Sequence, residues 1–336
     1  MQIVVDNSLH LTAIPPPLYE ILVDRLKFPN PKYLENARMG RWNRGVPREL
    51  KFFWKLRGGG LTIPRGYLGQ LIRLCRRQAV EFSLEDRRRT LDEADFSFRG
   101  MLKPFQQEAV QAMLSKEFGT LSAPTGSGKT VMALFMAAQR RQPTLIVVHT
   151  RDLARQWTER IEAFLGIAAD EVGAIGGGQK RIGRQISVAL VQSLYRCSSE
   201  VAPRIGHLIV DECHRTPSRT FTEAVSEFDS RYMLGLSATP WRRDKLSKLI
   251  FWHLGDVHHQ VDRQRLVKSG SVLAAEVTFR KTEFKPYSDP VQEYSKMLSE
   301  LTADDARNRL IAADVAKEVA LQPGACLVLS DRKKHC

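Results

Sequence analysis

From Gly119 onward, short runs of apolar, often β-branched residues alternate with stretches in which apolar positions recur every three or four residues. TLIVVHT (Thr144 to Thr150), ISVALVQ (Ile186 to Gln192), HLIVDE (His207 to Glu212) and MLGLSAT (Met233 to Thr239) have the unbroken apolar character of strands buried on both faces. VMALFMAAQRR, RDLARQWTERIEAFLG and PSRTFTEAVSEF flank them and carry the helical period. Such an alternation predicts an α/β fold: a parallel sheet with helices on both faces. In sheets of this kind ligands bind beyond the carboxyl ends of the strands. The candidate chemistry of this chain sits at those ends.

The pattern differs on either side. Met1 to about Val80 is mixed, with turn signals at Pro15 to Pro17, at FPNPKY (Phe28 to Tyr33) and at RGGGLTIPRG (Arg57 to Gly66). SLEDRRRTLDEAD (Ser83 to Asp95) is almost all charge and reads as a linker or a solvated helix. Beyond Asp262 come a strand candidate, AEVTFRKTEF (Ala275 to Phe284), a long helical pattern from about Asp289 to Leu321, and a final strand candidate, ACLVLS (Ala325 to Ser330). The expected division is residues 1–90, 96–262 and 263–336.

Charge sharpens the first of these regions. The chain carries +14, and between Arg38 and Arg77 eleven basic residues face one acidic residue, Glu49. Trp42, Phe52, Phe53, Trp54 and Tyr67 are interleaved with them. Basic side chains bind phosphates and aromatic rings stack on bases, so a small basic α+β domain that binds nucleic acid is expected at the N-terminal end. No apolar run approaches the roughly 18 residues of a membrane helix, and the first residues lack a secretory pattern. The five cysteines are scattered and form no CxxC pair, which predicts a reducing cytoplasm and neither a disulfide frame nor a conventional zinc site.

APTGSGKT (Ala123 to Thr130) has the composition of a phosphate-binding loop between a strand and a helix, although the strict pattern begins with glycine where this chain has Ala123. Thr125, Gly126, Ser127 and Gly128 supply a turn whose backbone N–H groups can converge on phosphate oxygens. Lys129 would reach the outer phosphates, and the Thr130 hydroxyl would bind magnesium. LIVDECHRT (Leu208 to Thr216) then has a reading of its own. It is an apolar strand ending in two carboxylates, with Asp211 as magnesium partner and Glu212 as general base toward water. Cys213 reads as a small core residue, and zinc would need further ligands that do not lie nearby.

Through these motifs the chain resembles the superfamily 2 helicases and translocases, of the DEAD/DEAH type in a DECH variant. LKPFQQEAV (Leu102 to Val110) resembles the family segment whose glutamine, here Gln106, reads adenine. VVHTRDLARQW (Val147 to Trp157) resembles the motif whose residues, here Thr150 and Arg151, face the nucleic-acid backbone. IGGGQK (Ile175 to Lys180) and VALVQSL (Val188 to Leu194) resemble two further strand-tracking motifs. GLSATPWRRD (Gly235 to Asp244) resembles the Ser-Ala-Thr motif, and the resemblance implies that His214, Ser237 and Thr239 couple nucleotide state to nucleic-acid grip. The N-terminal region and SATPWRRD together are similar to the xeroderma pigmentosum group B and phage UvsW type of DNA helicase, in which an Arg-Glu-Asp motif on this side is implicated in DNA opening. Arg242-Arg243-Asp244 is the nearest match, with Arg243 in place of the glutamate.

The resemblance implies a RecA-like lobe that binds ATP and magnesium (Mg2+), acts on DNA and works as a cytoplasmic, nucleoid-associated motor if bacterial. CLVLSDRKKHC resembles the opening of a second lobe, so the expectation is a motor truncated within that lobe that hydrolyses ATP poorly by itself. The alternatives are a translocating subunit of a restriction or defence complex, and an ATP- and DNA-binding remnant without motor activity.

Overall fold

The computed structural model describes residues 1–215, 219–239, 241, 247–268, 270–273, 277–321 and 324–335. The chain divides into two compact units, Met1–Leu273 and Ala274–Cys336.

The first unit opens with a five-stranded sheet. Strands β1 (Gln2–Val5) and β2 (Ser8–Thr12) form an antiparallel hairpin that pairs Val5 with Leu9 and Ile3 with Leu11. Their alternate residues Ile3, Val5, Leu9 and Leu11 are buried, as a two-residue period requires when one face covers a core. β3 (Lys27–Pro29) pairs with β4 (Glu49–Lys51) as a separate ribbon. β5 (Trp54–Lys55), β6 (Leu61–Pro64) and β7 (Ser83–Asp86) complete the sheet in the order β5-β6-β2-β1-β7. The helix Leu68–Arg77 buries Leu68, Leu71, Leu74 and Cys75 and leaves Arg73, Arg76 and Arg77 outside, the stripe expected of an amphipathic helix.

The eight-stranded sheet contains β8 (Phe118–Ser122), β9 (Thr144–Val148), β10 (Gly173–Gly176), β11 (Gln179–Arg181), β12 (Ile186–Leu190), β13 (His207–Val210), β14 (Tyr232–Ser237) and β15 (Val257–Gln260). Their order is β11-β10-β12-β9-β13-β14-β8-β15, and only the β10–β11 pair is antiparallel. β9 and β13 are buried along their whole length, which accounts for their continuous apolar sequence. One hydrophobic cluster, around Met132, Ile146, Trp157 and Leu236, packs helices on one face; a second, around Leu145, Leu208, Phe221 and Ile250, packs the other. The fold is therefore a RecA-like α/β lobe preceded by a small α+β domain.

The junction between the two sheets departs from the expected linker. Ser83–Asp86 is a strand, pairing parallel with β1, and the arginines after it are stitched to the lobe. The Arg88 guanidinium bridges Asp86 and Glu117, Arg89 meets Asp229 at 2.9 Å, and Arg231 meets Glu117 at 2.7 Å. Charge density that suggests a solvated segment is here neutralised pair by pair. The helix Ser247–Leu254 goes further: Ile250, Phe251 and Leu254 belong to the lobe's core, while Leu249 and Trp252 belong to the core of the N-terminal sheet. Trp252 lies 5.4 Å from the ring of Phe52 and 5.9 Å from that of Phe28. Gly66 allows this approach, because a Cβ there would stand 2.5 Å from both Gly255 N and Phe251 O. Arg65 is buried in the same seam and donates to the carbonyl oxygens of Asp6 and Ser230; burial foremost lowers its pKa to about 9.

Two buried histidines make the stability of this unit pH-dependent. Burial pushes His253 down to about 4 and His207 well below the usual imidazole range, with Arg140 adding to the effect on His207. Both are neutral in the native state and gain a proton on unfolding, so their contribution is present above about pH 6.5 and is lost as pH falls toward 4. Lowering the pH from 7.5 to 5 is expected to cost about 2 kcal/mol through His253 alone. Denaturant unfolding at the two pH values checks this, and His253→Phe should flatten the slope by its share.

In the second unit the helices Tyr294–Ala303 and Asp305–Leu321 occupy the predicted helical stretch, and Arg280 pairs with Asp314 at 2.6 Å. The strand candidates before and after them do not form strands among the described residues: 277–284 and 325–330 are irregular, with Phe279, Leu327 and Leu329 exposed. A strand needs a neighbour to satisfy its backbone N–H and C=O groups, and apolar composition does not provide one.

Candidate nucleotide site and nucleic-acid edge

β8 ends at Ser122, and the next residue, Ala123, donates its N–H to Ser237 O at the end of β14 (2.9 Å). The chain then turns through Gly126 (φ 82°) and Gly128 (φ 81°) into the helix Lys129–Arg140. At Gly128 the left-handed backbone disfavours a side chain, and a Cβ there would also stand 2.5 Å from Gln106 Nε2 and displace that amide. The Gln106 amide makes two local hydrogen bonds, Oε1 accepting from Lys103 N and Nε2 donating to Ser127 O, both at 2.9 Å, which leaves one N–H and one lone pair over. It thus braces the phosphate loop from behind. Lys129 Nζ donates to Ala123 O at 3.2 Å across the loop and stands 4.0 Å from Glu212 Oε1. Thr125 and Gly126 are exposed, Thr130 is half-buried, and the Ser127 hydroxyl is buried without a hydrogen-bond partner.

The acidic pair follows β13. Asp211 N donates to Val147 O, which continues the strand one residue further, and Glu212 then adopts a left-handed backbone (φ 47°). That conformation is uncommon for a residue with a side chain and ends the strand abruptly. Both Asp211 oxygens are held: Oδ1 accepts the Glu212 N–H at 2.9 Å and Oδ2 the Trp157 indole N–H at 2.8 Å. Cys213 to Arg215 form a single 3₁₀ turn, so Cys213 is not on an extended strand; it is nonetheless a core residue, its thiol pushed far up chiefly by burial. His214 Nδ1 stands between Ser237 Oγ (3.0 Å) and Glu212 Oε2 (3.1 Å), and Ser237 Oγ also accepts from Thr239 N (3.1 Å).

Strand order makes this convergence possible. β14 lies between β8 and β13, so Ser237 touches the phosphate loop through its carbonyl and His214 through its hydroxyl. Lys129, Asp211, Glu212, His214, Ser237 and Thr239 are brought to one edge of the sheet. Sequence reasoning missed two neighbours of this edge. Trp157 stands in the sequence only as the last residue of VVHTRDLARQW, and His149, at the end of β9, is held below its usual pKa by burial first and by Arg215 next. The signal in Trp157 was its indole N–H, which needs a partner when the ring is buried.

The candidate nucleic-acid residues lie along the same edge. Thr150 caps the helix Arg151–Leu165, its hydroxyl accepting from Leu153 N at 3.3 Å, and Arg151 is exposed beside it. A cleft of about 470 Å³ opens between this helix and the β10–β11 hairpin, lined in part by Arg151, Arg155, Gly176, Gly177 and Arg181. Thr239 is exposed; Arg242 and Arg243 lie outside the described residues. In the N-terminal domain Trp42 and Trp54 are exposed (86% and 58%) among the basic residues, whereas Tyr67 and Arg65 are buried in the domain seam and serve packing. No cluster of three or more metal-ligating side chains occurs among the described residues. The residues present still fit a magnesium nucleotide: a glycine turn at a helix N-terminus, a lysine inside it, an orphaned Ser127 hydroxyl and a fixed carboxylate opposite.

Comparison with known proteins agrees with this arrangement. Residues 99–242 match the family described as Type III restriction enzyme, res subunit. Over 143 residues the chain is 41% identical to the DNA 3'-5' translocase XPB2 of Sulfurisphaera tokodaii, covering 43% of this chain and 32% of that protein. Over 224 residues it is 32% identical to the putative DNA 3'-5' helicase Rad25 of Halobacterium salinarum, covering 66% of this chain and 36% of that protein. The matched residues 99–242 are the segment that carries Lys129, Asp211, Glu212, His214, Ser237 and Thr239. Among solved structures, the UvsW helicase of bacteriophage T4 shares its fold, with a TM-score of 0.58 at 18% identity over 76% of this chain and 99% of that one. The chain spans about a third of the length of these two sequence relatives.

Proposed function

We propose that this chain is the ATP-binding part of a DNA helicase or translocase, which binds ATP with magnesium and couples hydrolysis to movement on, or opening of, duplex DNA. The observation that carries the reading is the meeting of Lys129, Ser237 with His214, and Asp211 with Glu212 at the ends of three adjacent strands. Lys129 and the loop N–H groups bind the phosphates, with Gln106 bracing the loop. Thr130 and Asp211 would hold the magnesium ion, which when bound neutralises phosphate charge. Glu212, close to both Lys129 and His214, takes the proton from the attacking water. His214 and Ser237 pass a change at Glu212 to Thr239 and the nucleic-acid edge. Thr150 and Arg151 contact the DNA backbone, as do the basic residues of 1–90; residues 96–262 form the ATP lobe and 263–336 lead into a second one. On this reading the chain works in the cytoplasm, on the nucleoid in a bacterium.

The test is nucleotide binding and hydrolysis by the chain with and without duplex DNA. Micromolar to millimolar affinity for magnesium ATP, with slow hydrolysis raised by duplex DNA, is expected. Failure to bind ATP over that range would remove the reading.

A further inference from the structure

Trp157 is a side chain at this site that the proposed reaction does not use. Its ring is buried in the lobe core with Ile161 and Leu165, which follow on the same face of the helix Arg151–Leu165. Its indole N–H is spent on a carboxylate, Asp211 Oδ2 at 2.8 Å, and that bond is itself buried. A carboxyl group on a short side chain turns readily about its last torsion. Asp211 does not have that freedom, because the Glu212 N–H takes one oxygen and the indole takes the other. Each oxygen keeps a further lone pair for a ligand. The same helix begins at Thr150 and Arg151, about 10 Å from Trp157 at 1.5 Å per residue. The residues at that end are the ones proposed to contact DNA, and a rigid helix connects them to the indole.

We infer that Trp157 is a positioning residue: it fixes the Asp211 carboxylate and makes the magnesium affinity of the site depend on the position of the helix Arg151–Leu165. The inference rests on the nucleotide reading above and adds a route from the DNA edge to the metal-holding carboxylate. A shift of the helix moves the donor, and the carboxylate turns with it or loses the bond. Buried hydrogen bonds to charged groups are among the stronger ones, so deleting the donor is a measurable change.

The experiment uses the full chain and Trp157→Phe, which keeps an aromatic ring in the core and removes the N–H. A fluorescent ATP analogue is titrated in chelator and in magnesium, with and without duplex DNA, and thermal unfolding is followed in parallel. Nucleotide affinity without magnesium is expected to be unchanged. The tightening produced by magnesium should shrink about tenfold, and the effect of DNA on that tightening should disappear. Ile161→Val, which thins the same packed face without touching the N–H, should keep the full magnesium effect. Full magnesium tightening in Trp157→Phe, while Lys129→Ala has lost nucleotide, overturns the inference and leaves the nucleotide reading standing. Wild-type binding by Lys129→Ala overturns the reading and the inference together. Should Trp157→Phe fail to fold, the Trp157 indole N–H resonance of the unaltered protein decides. It is expected to shift when magnesium is added to the nucleotide complex, and an unmoved resonance overturns the inference.

Discussion

Lys129→Ala is expected to weaken magnesium ATP binding by about 100-fold or more, with little change in thermal stability. The lysine is the cation inside the phosphate loop, reaching Ala123 O at 3.2 Å and Glu212 at 4.0 Å. Charge-assisted contacts of this kind typically account for factors of about 10² to 10³. Alanine at the first position of the helix Lys129–Arg140 is a good helix former, so the fold has no reason to suffer. Calorimetric titration with ATP and a melting curve of the same sample make the check; an affinity within twofold of the wild type would mean that the loop does not hold phosphate.

The second large effect is structural. Gly66→Val is expected to lower the unfolding free energy of the first unit by about 3 kcal/mol or more, the upper range for overpacking. The three atoms nearest to its Cβ would all be backbone, Gly255 N, Phe251 O and Trp252 O, within 2.7 Å, and backbone cannot step aside as a side chain can. Separation of the two sheets would strip Leu249 and Trp252 of their partners, so tryptophan emission should move to the red. Gly69→Ala, three residues on, is the control. Its Cβ meets Arg73 and Asp256 at ordinary distances, 3.5 and 3.8 Å, and helix propensity favours alanine there by roughly 1 kcal/mol. Equal destabilisation by the two substitutions would mean that the seam is not closely packed.

The strands and the glycine turn before the helix Lys129–Arg140 were legible in the sequence for a plain reason: strands buried on both faces have no polar side to show, and a tight left-handed turn needs glycines. The acidic pair was legible for the same reason, as charge at the end of an apolar run. Strand order was not, because nothing local in MLGLSAT says that it lies between β8 and β13. Charge misled at Arg88 and Arg89, whose partners Glu117 and Asp229 come from far along the chain. Aromatic residues misled at Tyr67, which interleaves with basic residues in sequence but faces Trp252 in space. In 277–284 and 325–330 the apolar pattern was present and the pairing partner was not.

The helix Ser247–Leu254, with neighbouring residues assigned to different cores, also constrains how such a chain can evolve. A recombination breakpoint at the visible boundary near residue 90 would separate the N-terminal sheet from Leu249 and Trp252, which lie some 160 residues downstream. Exchange of N-terminal domains between chains built this way therefore has to carry that helix along, or be followed by compensating changes within it. Sequence variation at Phe28, Phe52 and Trp252 should be correlated across lineages, although the first two stand outside the lobe and the third within it.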